Sequence, residues 1–183
     1  MLRGTNVSSV TQSAVRLTRL THERPWQEHA RLYTDLFADA AVAATLWPGA
    51  LGGPRSDRQA TEMLARDIAH WHERSFGPWV FFETATGVFV GRGGLRVADM
   101  AGRECVEVLY AVRSDAWGRG YATEMARLAV AHARRLGLAD VVGFTATTNR
   151  ASRRVLENAG IRFEALVDRA GEPHWLGRLR PID

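Results

Sequence analysis

Apolar residues recur along this chain first at helical spacing and later at every second position, and the change falls near residue 78. In residues 26–38 the apolar positions Trp26, Ala30, Tyr33 and Phe37, with Leu32 and Leu36 beside them, predict an amphipathic helix whose first turn suits Pro25. Residues 14–20 before it alternate and predict a first strand, behind a polar tail over residues 1–13. Gly49, Gly52, Gly53 and Pro54 mark a breaker-rich loop across 48–56, of the kind that shapes substrate entrances. A second helix then begins with Asp57 as its N-cap, runs through Met63, Leu64, Ile68 and Trp71, and stops near Ser75 before Gly77-Pro78.

Beyond Pro78 the alternation predicts a hairpin of strands 79–83 and 88–97, then a strand over 105–112. Helical spacing returns over 120–136, where Ala122, Met125, Ala126, Ala129 and Ala133 form one face and Gly137 stops the helix. A strand at 141–147, a short helix at 151–158 and a last hairpin of 161–169 and 173–179 around Gly171 complete the chain. The strand, helix and strand over 105–147 form a right-handed crossover, so those two strands are parallel and the loop between the first strand and its helix lies at the carboxyl edge of the sheet. Ligands of open α/β sheets bind at that edge.

The 183 residues, 46% hydrophobic, suffice for one domain with a core, predicted over 14–183 as a mixed α/β unit. No apolar run approaches membrane-span length, which leads to the expectation of a soluble cytoplasmic protein with no membrane partner. All 24 basic side chains are arginine, against 20 acidic ones, for a net charge of +4. Arginine suits a phosphate-bearing ligand, whereas its alternation with Asp and Glu lacks the concentrated basic stripe that nucleic acid would need. Cys105 alone cannot form an intramolecular disulfide, and His70 and His72 diverge on a helix, so no metal site is expected.

The chemistry concentrates in Trp117-Gly118-Arg119-Gly120-Tyr121-Ala122-Thr123-Glu124, at the mouth of the crossover helix. Small residues there leave backbone N–H groups uncovered beside the positive end of a helix dipole, which makes an anion seat. Gly118-x-Gly120-x-x-Thr123 lacks the third glycine of the dinucleotide fingerprint, and no Gly-Lys-Ser or Gly-Lys-Thr completes a P-loop.

Tyr110-Ala111-Val112, the run Trp117 to Glu124, and Asn149-x-x-Ser152-Arg153-Arg154-Val155-Leu156-Glu157-Asn158-Ala159-Gly160 together resemble the GCN5-related N-acetyltransferases. Within them the closest likeness is to the RimJ/RimL-like enzymes that acetylate ribosomal protein N-termini. The resemblance implies a single domain with a central, mostly antiparallel sheet, a splayed parallel pair and about four helices. It implies acetyl-coenzyme A as donor, its pyrophosphate on the amides from Gly118 to Thr123. Trp117, Gly120 and Ala122 fill the places where the family has glutamine or arginine, glycine, and glycine or alanine. The pantetheine arm would pair with Tyr110, Ala111 and Val112, and with the facing parallel strand, while Asn149 bonds the arm or caps the helix that follows. Arg119 is the arginine expected to meet the phosphates.

Amide formation from a thioester needs a neutral amine and a proton for the departing thiolate, and no covalent enzyme intermediate; direct transfer is expected, with Cys105 a buried strand residue. Glu107, sharing a strand face with Leu109 and Ala111, is the candidate base if burial raises its pKa, or else a solvated strand glutamate. Many family members carry a tyrosine seven residues after the asparagine, where this chain has Leu156, so Ser152 is the candidate hydrogen-bond donor or acid for the thiolate, or a helix-packing residue. Trp47, Trp71, Trp79 and Trp175 are candidates to line an acceptor pocket between the first two helices, the 47–56 loop and the last hairpin. That hairpin could also pair across subunits in a homodimer. A non-catalytic acyl-coenzyme A binding module is the alternative to the enzyme.

Overall fold

The computed structural model describes residues 19–49, 52–100, 102–169 and 171–180. The tail at 1–13 and all but the end of the expected strand at 14–20 lie outside them. In chain order the elements are β1 (Leu20–Glu23), α1 (Ala30–Ala38), α2 (Ala40–Leu46), α3 (Asp57–Arg74), β2 (Pro78–Glu83), β3 (Phe89–Met100), β4 (Arg103–Val112), α4 (Tyr121–Arg135), β5 (Val141–Ala146), α5 (Arg150–Asn158), β6 (Ile161–Arg169) and β7 (Glu172–Leu179). The strands form one seven-stranded sheet, β1-β2-β3-β4-β5-β7-β6, antiparallel except between β4 and β5. The expected mixed sheet with a single parallel pair is therefore present, with five α-helices where about four were expected.

Three local differences have plain causes. The helix expected over 26–38 opens as a 3₁₀ turn at Gln27–His29 and becomes α-helical only from Ala30. Its neighbour α2 was not anticipated: Asp39 ends α1 and caps α2, its carboxylate accepting from the amides of Ala41 at 2.8 Å and Val42 at 3.3 Å. At α3 the cap is Ser56 rather than Asp57. Ser56 is extended and exchanges bonds with Gln59 in a capping box, which leaves Asp57 inside the first turn, where its charge still suits the dipole.

The core lies on both faces of the sheet. On one face Tyr33, Phe37, Val42, Ala60 and Leu64 of the first three helices cluster with Val80, Phe89 and Ala111. On the other, the alanine-rich stripe of α4 (Ala126, Ala129, Ala133) meets Leu95, Val106 and Val108, and Leu156 of α5 joins it. Small residues let α4 sit close to β3 and β4, which fixes the direction in which its N-terminus points. Among the described residues no helix is long and apolar enough to cross a membrane.

Candidate active site

The site begins where the sheet comes apart. β4 and β5 share only two register pairs, Val106 with Val141 and Glu107 with Val142, and then diverge. The facing edges of Val108–Val112 and Gly143–Ala146 are left open to a ligand with its own hydrogen-bonding backbone, and the slot opens into a cavity of about 890 Å³.

At its upper end lies the loop expected to seat an anion. Gly118 and Gly120 have φ of +76° and +82°, a left-handed backbone that favours glycine, and Gly120 is the residue that starts α4. The first helical hydrogen bond is from the Glu124 amide to the Gly120 carbonyl at 3.2 Å, so the amides of Tyr121, Ala122 and Thr123 precede it and have no helical acceptor. Gly118, Gly120, Tyr121, Ala122 and Thr123 all border the cavity. Trp117 also borders it and pins the loop to β4 through its indole N–H, which donates to the Val112 carbonyl at 2.8 Å.

Arg119 departs from expectation. Its guanidinium pairs with Glu83 at 2.6 Å and stacks on Tyr121, outside the main cavity, because Glu83 at the end of β2 presents a carboxylate that also accepts from the Tyr121 hydroxyl. The Tyr121 hydroxyl, the Thr86 hydroxyl and Arg119 together hold the Glu83 carboxyl below its usual range. Arg119 thus braces the loop from behind.

At the lower end the structure unites residues that lie far apart in sequence. Asn149 caps α5 by accepting from the Ser152 amide at 2.9 Å, which leaves its NH₂ uncommitted by that bond, and the residue borders the cavity. The Ser152 hydroxyl lies 2.8 Å from the Tyr110 hydroxyl, which is also 3.0 Å from the Ser152 carbonyl. Burial pushes the Tyr110 phenol well above its ordinary pKa, with the bond to Ser152 opposing. Leu156 is 1% exposed in the core, so the place of the family tyrosine is closed, and a phenol reaches the first turn of α5 from β4 instead.

Glu107 is 8% exposed on the floor of the cavity, with Arg96 at 2.8 Å on one carboxylate oxygen and Arg169 at 3.4 Å on the other. It does not face apolar neighbours alone. Arg169 also stacks on Phe144 of β5, 3.9 Å from its ring centroid. His174, 9% exposed, borders the same floor. Cys105 is 2% exposed, and burial, with Asp140 and Glu107 nearby, raises its thiol pKa; it is a strand residue, as anticipated, and poorly suited as a nucleophile.

Of the four tryptophans, only Trp47 lines the cavity. Trp71 and Trp79 pack on each other in the core, and Trp175 lies under Arg153. The acceptor side is closed by Phe37, Val42, Leu46 and Met63, with Arg92 held beneath by Asp67 through two 2.7 Å bonds. Sequence reading did not single out this pair, the Tyr110–Ser152 bond or His174. An arginine inside an otherwise apolar strand was the one visible signal.

A parallel pair that splays beside the start of α4, with a cavity between its strands, is the arrangement the sequence resemblance led one to expect. The family profile described as "Acetyltransferase (GNAT) domain" matches residues 19–162, and this chain belongs to that family. It is 40% identical over 93 residues to the FsC-acetyl coenzyme A-N(2)-transacetylase of Aspergillus fumigatus, a match spanning 47% of this chain and 39% of that protein's length. The fold is similar to yncA of Salmonella typhimurium, solved with its cofactor acetyl-CoA, with a TM-score of 0.68, 19% identity, and 89% and 94% of the two chains covered. It is also similar to the Salmonella typhimurium enzyme that modifies the N-terminal serine of ribosomal protein L7/L12, with a TM-score of 0.71, 15% identity, and 91% and 97% covered. No group of side chains able to hold a metal occurs among the described residues.

Proposed function

We propose that this chain transfers the acetyl group of acetyl-coenzyme A to a primary amine, a protein N-terminus or a small molecule, by direct attack in a ternary complex within the cytoplasm. The observation that supports it most is the continuous cavity, which runs from the amide seat at Gly118–Thr123, past the Tyr110–Ser152 pair, to a floor holding Glu107. The amides of the seat take the pyrophosphate, the free edge of Tyr110–Val112 and the Asn149 NH₂ take the pantetheine arm, and the Ser152 hydroxyl, oriented by Tyr110, donates a hydrogen bond to the departing sulfur. A phenol raised by burial is a poor outright proton donor, so Tyr110 acts here by aiming the serine hydroxyl. Glu107, with both oxygens already in ion pairs, orients the attacking amine through its remaining lone pairs.

Titration calorimetry with acetyl-coenzyme A, followed by thiol release over a panel of peptides with free N-termini, spermidine and amino acids, tests the proposal. Binding together with thiol release on at least one amine is expected. Binding without release on any of them would make the chain an acyl-coenzyme A binding module, and no binding would overturn the proposal altogether.

A further inference from the structure

We propose that the acceptor is a free α-amino acid, its amine held on Glu107 and its carboxylate on the two guanidiniums beside that residue, Arg96 and Arg169; this rests on the reading of the chain as an amine acetyltransferase and narrows the amine to one class. Glu107 lies at the closed end of the slot, where it makes the last pair between β4 and β5, with Val142, before the strands part. Arg96 stands opposite it in register on β3 and donates to one carboxylate oxygen at 2.8 Å. Arg169 reaches over from β6, stacked on Phe144, and donates to the other at 3.4 Å. All three residues border the cavity.

Two cations therefore meet one carboxylate. The Glu107 side chain is 10% exposed, against 42% for Arg96 and 34% for Arg169, so the carboxylate is covered while each guanidinium stays open. A guanidinium has five N–H donors, and each of these two gives one to Glu107; the others have no acceptor among the described residues. The neighbouring carboxylates are turned elsewhere. Asp99 and Asp168 each accept from an amide of their own hairpin turn, Gly102 at 3.1 Å and Gly171 at 3.0 Å, and neither forms an ion pair among the described residues. Arg92, the other arginine at the cavity, already has both oxygens of Asp67.

An anion brought in beside the amine would balance this cluster. In an α-amino acid the carboxyl carbon lies about 2.5 Å from the nitrogen, because both are bonded to Cα. A nitrogen within hydrogen-bond reach of Glu107 thus carries its carboxylate to guanidiniums that touch the same glutamate. A peptide N-terminus puts an uncharged amide carbonyl at that point, and a polyamine puts a methylene there. Neither offers the charged acceptor that guanidinium binds most strongly. In the reaction the neutral amine nitrogen bonds the acetyl carbon, the carbon–sulfur bond breaks with its electron pair going to sulfur, and the proton shed by the nitrogen ends on the thiolate. The products are an N-acetylamino acid and coenzyme A.

Thiol release by the wild-type protein is measured on free L-amino acids, tripeptides and spermidine, and at least one free amino acid is expected to be the best acceptor. The N-acetyl product of that amino acid and the amide of the same product are then titrated by calorimetry into wild-type protein saturated with coenzyme A. Neither has a titrating amine, so the pair differs only in the carboxylate, which is expected to tighten the Kd about tenfold or more. Arg96→Gln and Arg169→Gln are each expected to reduce that ratio at least about threefold with the Kd for acetyl-coenzyme A unchanged. A wild-type ratio below about tenfold, a ratio that both variants leave intact, or acceptance of peptides or spermidine in preference to every free amino acid would overturn the assignment and leave the acetyltransferase reading standing. A wild-type protein that releases no thiol on any amine overturns both.

Discussion

Asp67→Ala removes the carboxylate that neutralises a guanidinium at the base of the acceptor side. Asp67 and Arg92 are 4% and 6% exposed and joined by two 2.7 Å bonds, and the Tyr33 hydroxyl donates to the same carboxylate at 2.7 Å. Burial lowers the pKa of Arg92 and the adjacent Asp67 more than offsets it; a guanidinium is not deprotonated in proteins, so Arg92 stays charged when its partner is lost. Removing one member of a buried pair costs about 3–5 kcal/mol. Leaving the Tyr33 hydroxyl without an acceptor costs about 1–3 kcal/mol taken alone. The two losses share one site and do not add, and Arg92 borders the cavity, from which water can partly solvate it; about 4 kcal/mol is the expected sum. With a urea m-value of about 2 kcal/mol per molar, the midpoint should fall by about 2 M, read by tryptophan fluorescence and circular dichroism together. The triple variant Tyr33→Phe, Asp67→Leu, Arg92→Met should return to within about 1 kcal/mol of wild type, because the rings of Tyr33 and Phe37 already stack on the guanidinium and would pack against an apolar chain as well. A loss below about 1 kcal/mol for Asp67→Ala would refute the reasoning, since it would mean that the guanidinium is well solvated in the folded protein.

Gly120→Glu should abolish acetyl-coenzyme A binding by calorimetry, through a strained backbone and a like charge at the seat, whereas Arg119→Ala should change the Kd by less than about threefold because its guanidinium is turned to Glu83. Tyr110→Phe removes both contacts of the phenol with Ser152, and loss of the one to the serine hydroxyl, about 0.5–1.5 kcal/mol, should lower kcat by about 2–13-fold with little change in the KM for acetyl-coenzyme A; an unchanged kcat would detach Tyr110 from Ser152 in the mechanism. His132 and His22 have folded-state pKa values depressed by burial first and by Arg135 second, so their contribution to stability is complete above about pH 6.5 and is lost as pH falls toward those depressed values. Urea midpoints at pH 7.5 and 5.5 should differ by less in a His132→Gln variant than in wild type.

How much of this was legible in the sequence depends on the range of the forces involved. Alternation and helical spacing located nearly every element after residue 57, because each reports burial of one face. The alanine-rich α2 was not anticipated because its start depends on Asp39, a residue that closes one helix and opens the next. The left-handed turn before α4 was legible as glycines at a helix mouth, since backbone geometry is local. The direction of the Arg119 side chain was not legible for the opposite reason: it is set by Glu83, 36 positions away. Tyr110 and Ser152 meet across 42 positions, and His174 reaches the floor only through the register of β5 and β7, so neither could be paired before the sheet was known.

The two-rung junction of β4 with β5 bears on the energetics of the whole molecule. β5, β7 and β6 form a ribbon whose edge amides and carbonyls beyond Val142 have no mate on the β4 side. On the function proposed above, a donor lying there supplies those mates and clamps the ribbon to the rest of the domain. By mass action, donor at a hundred times its Kd adds about 2.7 kcal/mol to the folding free energy. Amide exchange along Gly143–Ala146 is then expected to report occupancy, and resistance of the chain to unfolding to follow the concentration of the ligand that fills the slot.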